Sequence, residues 1–342
     1  MFNRSAFLTV AIILASTFIG VLIGVKGHAA FHKAISYIPL DDTRIFAWDR
    51  SLSDVEIPSK KDKEIQHAYF YSARKPNRPL LVSLHTWNGN YKQKDEFAKL
   101  AKERNWNYIH PDFRGPNNRM EACSSDLVIS DIDDAISYAL KKGMADETKI
   151  YVIGGSGGGF AAAAVLMRSR HQLASVSAWC PITDIPAWFR QTSLRHLDYA
   201  EDILKCTGSK DSILNMPTAR HRSPIFWPLP ESRSNTKINL YAGIHDGIQG
   251  SVPISQSINF YNKLLKDAGC DVPAAFISND ERVMLSENQI QPTAAKIGDR
   301  PLLLQKQFKN ISLAIFEGNH EILHSTAISL IEATPVKSGT KF

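Results

Sequence analysis

Apolar residues recur along this chain in two rhythms. Short continuous runs rich in β-branched and aromatic residues stand between longer stretches whose apolar positions return every three or four residues. A continuous apolar run of strand length suits a strand buried on both faces, and the three-to-four spacing marks one face of a helix. Read this way, Ile65–Ala73, Pro79–His85, Trp106–Pro111, Ile150–Ile153, Leu173–Cys180, Ile238–Gly243 and Ile311–Phe316 predict strands. Phe97–Arg104, Leu127–Lys142, Gly159–Leu166, Ile254–Ala268 and Ile322–Ile331 predict helices; in Leu127–Lys142, Val128, Ile132, Ala135, Ile136 and Ala139 fall near one face. Such regular alternation predicts an α/β fold with a mostly parallel sheet covered by helices on both faces.

Four stretches break the rhythm. Phe31–Lys63 is mixed and polar, an irregular lead-in or an edge strand. Pro181–Pro230 lies between two strands and holds short helical pieces with many aromatics and bases, which predicts a small cap. Val272–Gln307 is polar and reads as an irregular insertion, and the tail from Thr334 is polar. Residues 30–342 are thus expected to form a single domain carrying cap 181–230 and insertion 272–307.

The chemistry concentrates where strands end. After Ile150–Ile153 comes Gly154-Gly155-Ser156-Gly157-Gly158, which fits the G-x-S-x-G nucleophile elbow, a sharp strand-to-helix turn that exposes a serine hydroxyl. Side chains two residues either side of that serine would collide, so glycine is needed there. The helix that follows aims backbone N–H groups and a partial positive charge at the serine. Gly157-x-Gly159-x-x-Ala162 also satisfies a relaxed dinucleotide fingerprint, but no acidic residue ends the next strand, Ala178-Trp179-Cys180.

A serine hydroxyl needs a base to take its proton, and the base needs a carboxylate on its other ring nitrogen. Ser156, Asp246 and His320 each follow a predicted strand, in the order Ser, Asp, His of the α/β-hydrolases. They are the candidate nucleophile, orienting acid and base. Asp184, after the preceding strand, is a rival acid. The oxyanion formed on attack needs two donors. Gly157 N–H is one candidate and Trp87 N–H, in the loop after Pro79–His85, the other, with Thr86 as its alternative.

With these residues in place the chain resembles the catalytic domain of the prolyl oligopeptidase family within the α/β-hydrolase superfamily. The matching pieces are Asp112-Phe113-Arg114-Gly115, the Gly154–Gly158 elbow, Ser223-Pro224, Gly243-x-His245-Asp246 with Val252-Pro253, and Gly318-Asn319-His320. They run from about Leu80 to the C-terminus. The resemblance implies an α/β-hydrolase fold and implies Ser156, Asp246 and His320 as nucleophile, acid and base. The sequence departs from the family in two places. The larger peptidases carry an N-terminal β-propeller for which this sequence has no room, and His85-Thr86-Trp87 replaces a His-Gly-x pattern.

Composition then narrows the function. The 342 residues carry a mild net charge of +6, and no dense Lys/Arg run interleaves with aromatics, so a nucleic-acid partner is not expected. No His/Cys cluster has metal-ligand spacing, and neither metal nor cofactor is expected. Arg4 followed by the uncharged apolar run 6–25 reads as a signal peptide cleaved before Ala30 or as an uncleaved membrane anchor; either places the rest outside the cytoplasm. The cysteines Cys123, Cys180, Cys206 and Cys270 would then meet an oxidising compartment; a Cys180–Cys206 bridge is favoured among the three pairings, with buried free thiols as the alternative.

For the substrate, the cap offers Trp188, Phe189, Arg190, Arg195, His196, Tyr199, Arg220, His221, Arg222, Phe226 and Trp227, and the loop before it Trp87. Trp87 and Trp188 are therefore expected to line a substrate subsite. No acidic pair stands ready to hold a peptide's amino terminus. The expectation is a serine hydrolase acting on a small-molecule or oligosaccharide carboxylic ester, with a peptidase acting on short peptides as the alternative.

Overall fold

The structure, a computed structural model, describes residues 47–287 and 289–333. The expected signal or anchor segment 1–29, with its apolar run 6–25, and the tail from Thr334 lie outside the described residues.

Among the described residues ten strands form one sheet: β1 (Ser53–Pro58), β2 (Ile65–Tyr71), β3 (Leu80–Leu84), β4 (Asn107–Pro111), β5 (Ile150–Gly155), β6 (Ser175–Trp179), β7 (Lys237–Gly243), β8 (Lys296–Ile297), β9 (Arg300–Phe308) and β10 (Ile311–Phe316). Their order is β1-β2-β4-β3-β5-β6-β7-β10-β9-β8. The run from β4 to β10 is parallel, and antiparallel pairs finish both edges. Helices α1 (Glu96–Glu103), α2 (Asp126–Gly143), α3 (Gly157–Arg168), α7 (Ser255–Asp267) and α9 (His324–Glu332) cover the two faces. The period-two geometry of strands divides the apolar runs between them. Leu80, Val82, Leu84, Ile150 and Val152 enter the core with α2, α3 and α7. Leu81, Tyr151, Ile153 and Trp179 enter a second core with α1 and α9.

The cap comprises α4 (Ile185–Leu194), α5 (Tyr199–Cys206) and α6 (Met216–His221), followed by the 3₁₀ turn Pro224–Phe226. It has its own core, in which Trp188, Ile203 and Cys206 meet Trp87, Cys123 and Phe160 of the main fold. Arg222 ties it down by donating to the carbonyls of Ala122 at 2.8 Å and Met120 at 2.5 Å. The family-like Arg114 is likewise structural. It meets Asp131 of α2 at 2.5 Å and Asp62, between β1 and β2, at 2.8 Å, locking that hairpin to the helix.

Two expectations are corrected. The segment 272–307 is not irregular: it contains α8 (Asn279–Ser286), β8 and the nine-residue β9, which pairs antiparallel with β10. Its polarity hid the strand because only Leu302 and Leu303 of β9 are buried; β8 pairs with Arg300 and Pro301, and the part of β9 that runs past it forms an edge that keeps polar residues where it meets water. All four cysteines are free, and Cys180 and Cys206 do not pair: Cys206 lies in the cap core with Cys123, whereas Cys180 stands beside Asp246 and His320.

Candidate active site

Ser156 joins β5 directly to α3 at φ 56° and ψ −120°, a backbone state that costs a non-glycine residue on the order of 1–3 kcal/mol and persists only where its surroundings enforce it. Here they do: the Ser156 N–H donates to the Trp179 carbonyl at 2.9 Å, and the Ser156 carbonyl accepts from Phe160 N–H at 2.9 Å. The turn is so tight that a Cβ on Gly154 would lie 2.3 Å from the backbone of Gly158.

His320 and Asp246 leave neighbouring strands, β10 and β7. His320 Nδ1 lies 2.6 Å from Asp246 Oδ2. A carboxylate only accepts, so Nδ1 carries the proton and Nε2 is left as the basic nitrogen. The other carboxylate oxygen accepts from Gly247 N–H at 2.8 Å and Val252 N–H at 3.0 Å, which fixes its plane. Burial alone would push the His320 ring down; the Asp246 charge and hydrogen bond outweigh it, the Cys180 thiol adds to them, and the ring is held well above its ordinary 6.5. The Cys180 thiol is itself pushed up by burial and stands as a neutral neighbour. The rival Asp184 is committed elsewhere, capping α4 by accepting from Ala187 N–H at 2.9 Å.

Ser156 comes to the same end of the sheet as this pair. A Cβ on Gly155 would rest 3.6 Å from Ile322, two residues past His320. Among the described residues no hydrogen bond joins the Ser156 hydroxyl to the His320 ring, and in unliganded enzymes this bond is often long until substrate closes it.

The two expected oxyanion donors are close neighbours. A Cβ on Gly157 would lie 2.2 Å from Trp87 N, so the loop after β3 presses directly on the start of α3. As the first helical residue, Gly157 has no intrahelical acceptor for its N–H. The Thr86 alternative is closed, because its N–H donates to Gln93 Oε1 at 2.9 Å. Trp87 N–H has no acceptor among the described residues, while its carbonyl is held by Asn117 N–H at 2.9 Å. His85 anchors the start of this loop, with Nδ1 2.9 Å from the Thr86 carbonyl, Nε2 2.8 Å from the Asp112 carbonyl and its ring stacked on Phe113 at 3.7 Å; burial pushes it down to about 4.

The side chains of Trp87 and Trp188 do not line an open subsite. They are 1% and 0% exposed, packed edge-to-face at 4.7 Å, and the Trp188 indole donates to the Ser251 carbonyl. Their size made them look like platforms; in the folded chain they are the cap's core. The contact that sequence reasoning missed is Asp202, which accepts from Trp87 Nε1 at 3.2 Å across 115 residues. No local spacing signals a pairing that distant.

A parallel sheet with a strained serine at the end of β5 and an aspartate–histidine pair at the ends of β7 and β10 is an α/β-hydrolase arrangement, the fold of a serine hydrolase. Within that superfamily, the sequence model of the prolyl oligopeptidase family matches residues 95–282, more than half of the chain, and the chain belongs to that family. Solved structures agree at the level of fold. An acylaminoacyl peptidase in complex with Z-Gly-Gly-Phe-chloromethyl ketone is 16% identical with a TM-score of 0.56, the match covering 86% of this chain and 43% of that one. A Mycobacterium tuberculosis puromycin-hydrolyzing peptidase is 14% identical with a TM-score of 0.53, covering 84% and 39%. Prolyl oligopeptidase B from Galerina marginata is 14% identical with a TM-score of 0.52, covering 63% and 31%. The chain therefore spans less than half the length of each. No protein of curated function matches it.

Proposed function

We propose that this protein is a serine peptidase that cleaves short peptides or peptide-like amides through an acyl-enzyme. Ser156 Oγ attacks the carbonyl carbon while His320 Nε2 takes its proton, and Asp246 holds the ring in the tautomer that permits this. The N–H groups of Gly157 and Trp87 stabilise the oxyanion. The tetrahedral intermediate then expels the amine, which receives the proton from His320. Water, activated by the same ring, attacks the acyl-enzyme and releases the acid. The observation that carries this reading is the 2.6 Å His320–Asp246 pair at the same end of the sheet as a serine held at φ 56°.

The choice of an amide is supported by the solved relatives, one holding a peptide chloromethyl ketone and another described as puromycin-hydrolyzing. The ester expectation rested in part on aromatic platforms, and burial of Trp87 and Trp188 weakens that part. We also propose an extracytoplasmic location, supported by Arg4 and the apolar run 6–25; among the described residues no helix is long and apolar enough to cross a membrane.

The test is a panel of peptidyl nitroanilides beside alkyl and acetyl-sugar esters, with fluorophosphonate labelling of wild type and Ser156→Ala. Labelling and turnover are expected in wild type only, with the highest kcat/KM on a peptidyl amide. Full labelling of Ser156→Ala would remove the nucleophile assignment, and a higher kcat/KM on every ester would restore the ester reading. For location, N-terminal sequencing of membrane and secreted fractions is expected to find the enzyme there; active full-length protein confined to the cytosol would exclude it.

A further inference from the structure

Trp87 faces two ways. Its backbone N–H borders Gly157, and its indole runs into the core beneath the cap, edge-on to Trp188 at 4.7 Å and to Tyr199 at 6.4 Å, and stacked with Phe160 of α3 at 6.0 Å. The indole N–H ends on the carboxylate of Asp202 in α5. Four anchors therefore set this residue. Gln93 accepts from the Thr86 N–H, Gly89 N–H donates to the Thr86 carbonyl of the peptide that carries the Trp87 N–H, Asn117 holds the Trp87 carbonyl, and Asp202 holds the side chain. The first three belong to the main fold and the fourth to the cap.

Asp202 is a costly choice for that role. It is half-buried, and burial pushes its pKa up. No ion pair reaches it among the described residues; the nearby Lys205 pairs with Glu201 at 2.8 Å instead. A carboxylate withdrawn from water without a cation is destabilising, and an apolar residue of similar size would suit the surrounding core better. The indole N–H is the group its carboxylate meets.

There is also no slack between Trp87 and the nucleophile's helix, since a single added methyl at Gly157 would reach within 2.2 Å of Trp87 N. An indole packed against Phe160, Trp188 and Tyr199 and bonded to Asp202 limits how far the Cα that carries it, and with it the adjoining peptide, can shift. We propose that Asp202 is a positioning residue: by holding the Trp87 indole it fixes the direction of the Trp87 N–H, so that the cap sets the oxyanion site and thereby the rate of acyl transfer. This rests on Ser156 as nucleophile and on Trp87 N–H as oxyanion donor.

The experiment compares Asp202→Leu, Asp202→Asn, Trp87→Phe and the double variant Asp202→Leu/Trp87→Phe, with the exposed Asp198→Asn as control, on one peptidyl nitroanilide and one peptide boronic acid. Donor geometry matters more in the tetrahedral state than in the bound substrate, so Asp202→Leu and Trp87→Phe are each expected to lower kcat about tenfold with KM changed less than about twofold. Boronic acid affinity should fall by the same factor. Asp202→Asn should stay near wild type because its amide oxygen accepts the same bond, and the double variant should be no slower than the slower single one. Wild-type kcat in Trp87→Phe, a loss confined to KM, or additive losses in the double variant would each overturn the proposal, and Trp87→Phe decides it if Asp202→Leu does not fold. Wild-type protein that fails to react with a fluorophosphonate overturns the nucleophile assignment itself, and this proposal with it.

Discussion

Gly157→Ala tests the geometry at its tightest point. The added Cβ would lie 2.2 Å from Trp87 N, 2.4 Å from Trp87 Cα and 2.8 Å from Thr86 C, all backbone atoms that cannot swing aside as a side chain can. Ordinary contact begins at 3.4 Å, so the loop and the helix must part by roughly 1 Å. That movement separates the two proposed oxyanion donors. Removing one such donor costs about 10²–10³ in kcat, and a shift of about 1 Å in a reacting geometry costs about 10². The expected loss is therefore about a hundredfold in kcat, with KM little changed. Gly155→Ala is the matched control one residue before the serine, because its Cβ meets only Ile322 at 3.6 Å. It should retain kcat within about threefold, a small part of the effect of a lost donor. Both variants would be assayed on a peptidyl nitroanilide after near-ultraviolet circular dichroism has confirmed native packing. A folded Gly157→Ala enzyme turning over at the Gly155→Ala rate would refute the convergence of Gly157 and Trp87 on one oxyanion.

Other outcomes follow from the same site. Asp246→Asn should lower kcat by about 10⁴, as loss of the orienting acid does in triads generally, whereas Asp184→Asn should cost little because an asparagine oxygen can still cap α4; the opposite ranking would move the acid. Because Asp246 raises the His320 ring above 6.5, kcat/KM should rise with pH through a midpoint on the alkaline side of that value and Asp246→Asn should bring it down; a wild-type midpoint at or below 6.5 would refute the coupling. The sign for stability is the reverse: a raised folded pKa adds stability that is complete below 6.5 and is lost as pH climbs through the folded value, readable in urea midpoints of wild type against His320→Gln. Arg114→Met strands Asp131, whose side chain is 1% exposed, and should cost about 3–5 kcal/mol in urea unfolding; a loss below about 1 kcal/mol would show that the pair is not a structural clamp.

Much of this protein was legible without coordinates. The parallel strands announced themselves because burial on both faces demands continuous apolar runs, and the elbow did so because Gly154 and Gly158 meet backbone within 2.3 Å. The places of Ser156, Asp246 and His320 at strand ends were readable for the same reason: each immediately follows or closely trails such a run. Strand β9 was not legible, since Gln305 and Gln307 face water, Lys306 is spent on Glu281 at 2.8 Å, and only pairing with β10 makes the segment a strand.

The sequence by itself determined which residue types could perform acyl transfer and where along the chain they stand. Tertiary structure decided which of them meet. It brought Asp246 rather than Asp184 to His320 by placing β7 beside β10, and it committed the Thr86 N–H to Gln93. It separated Cys180 from Cys206, and it turned Trp87 and Trp188 from surface platforms into core. The physical reason is common to all four. Local pattern records burial and backbone geometry, which each residue feels through its chain neighbours, whereas a hydrogen bond such as that from Trp87 to Asp202 spans 115 residues and exists only once the cap has packed.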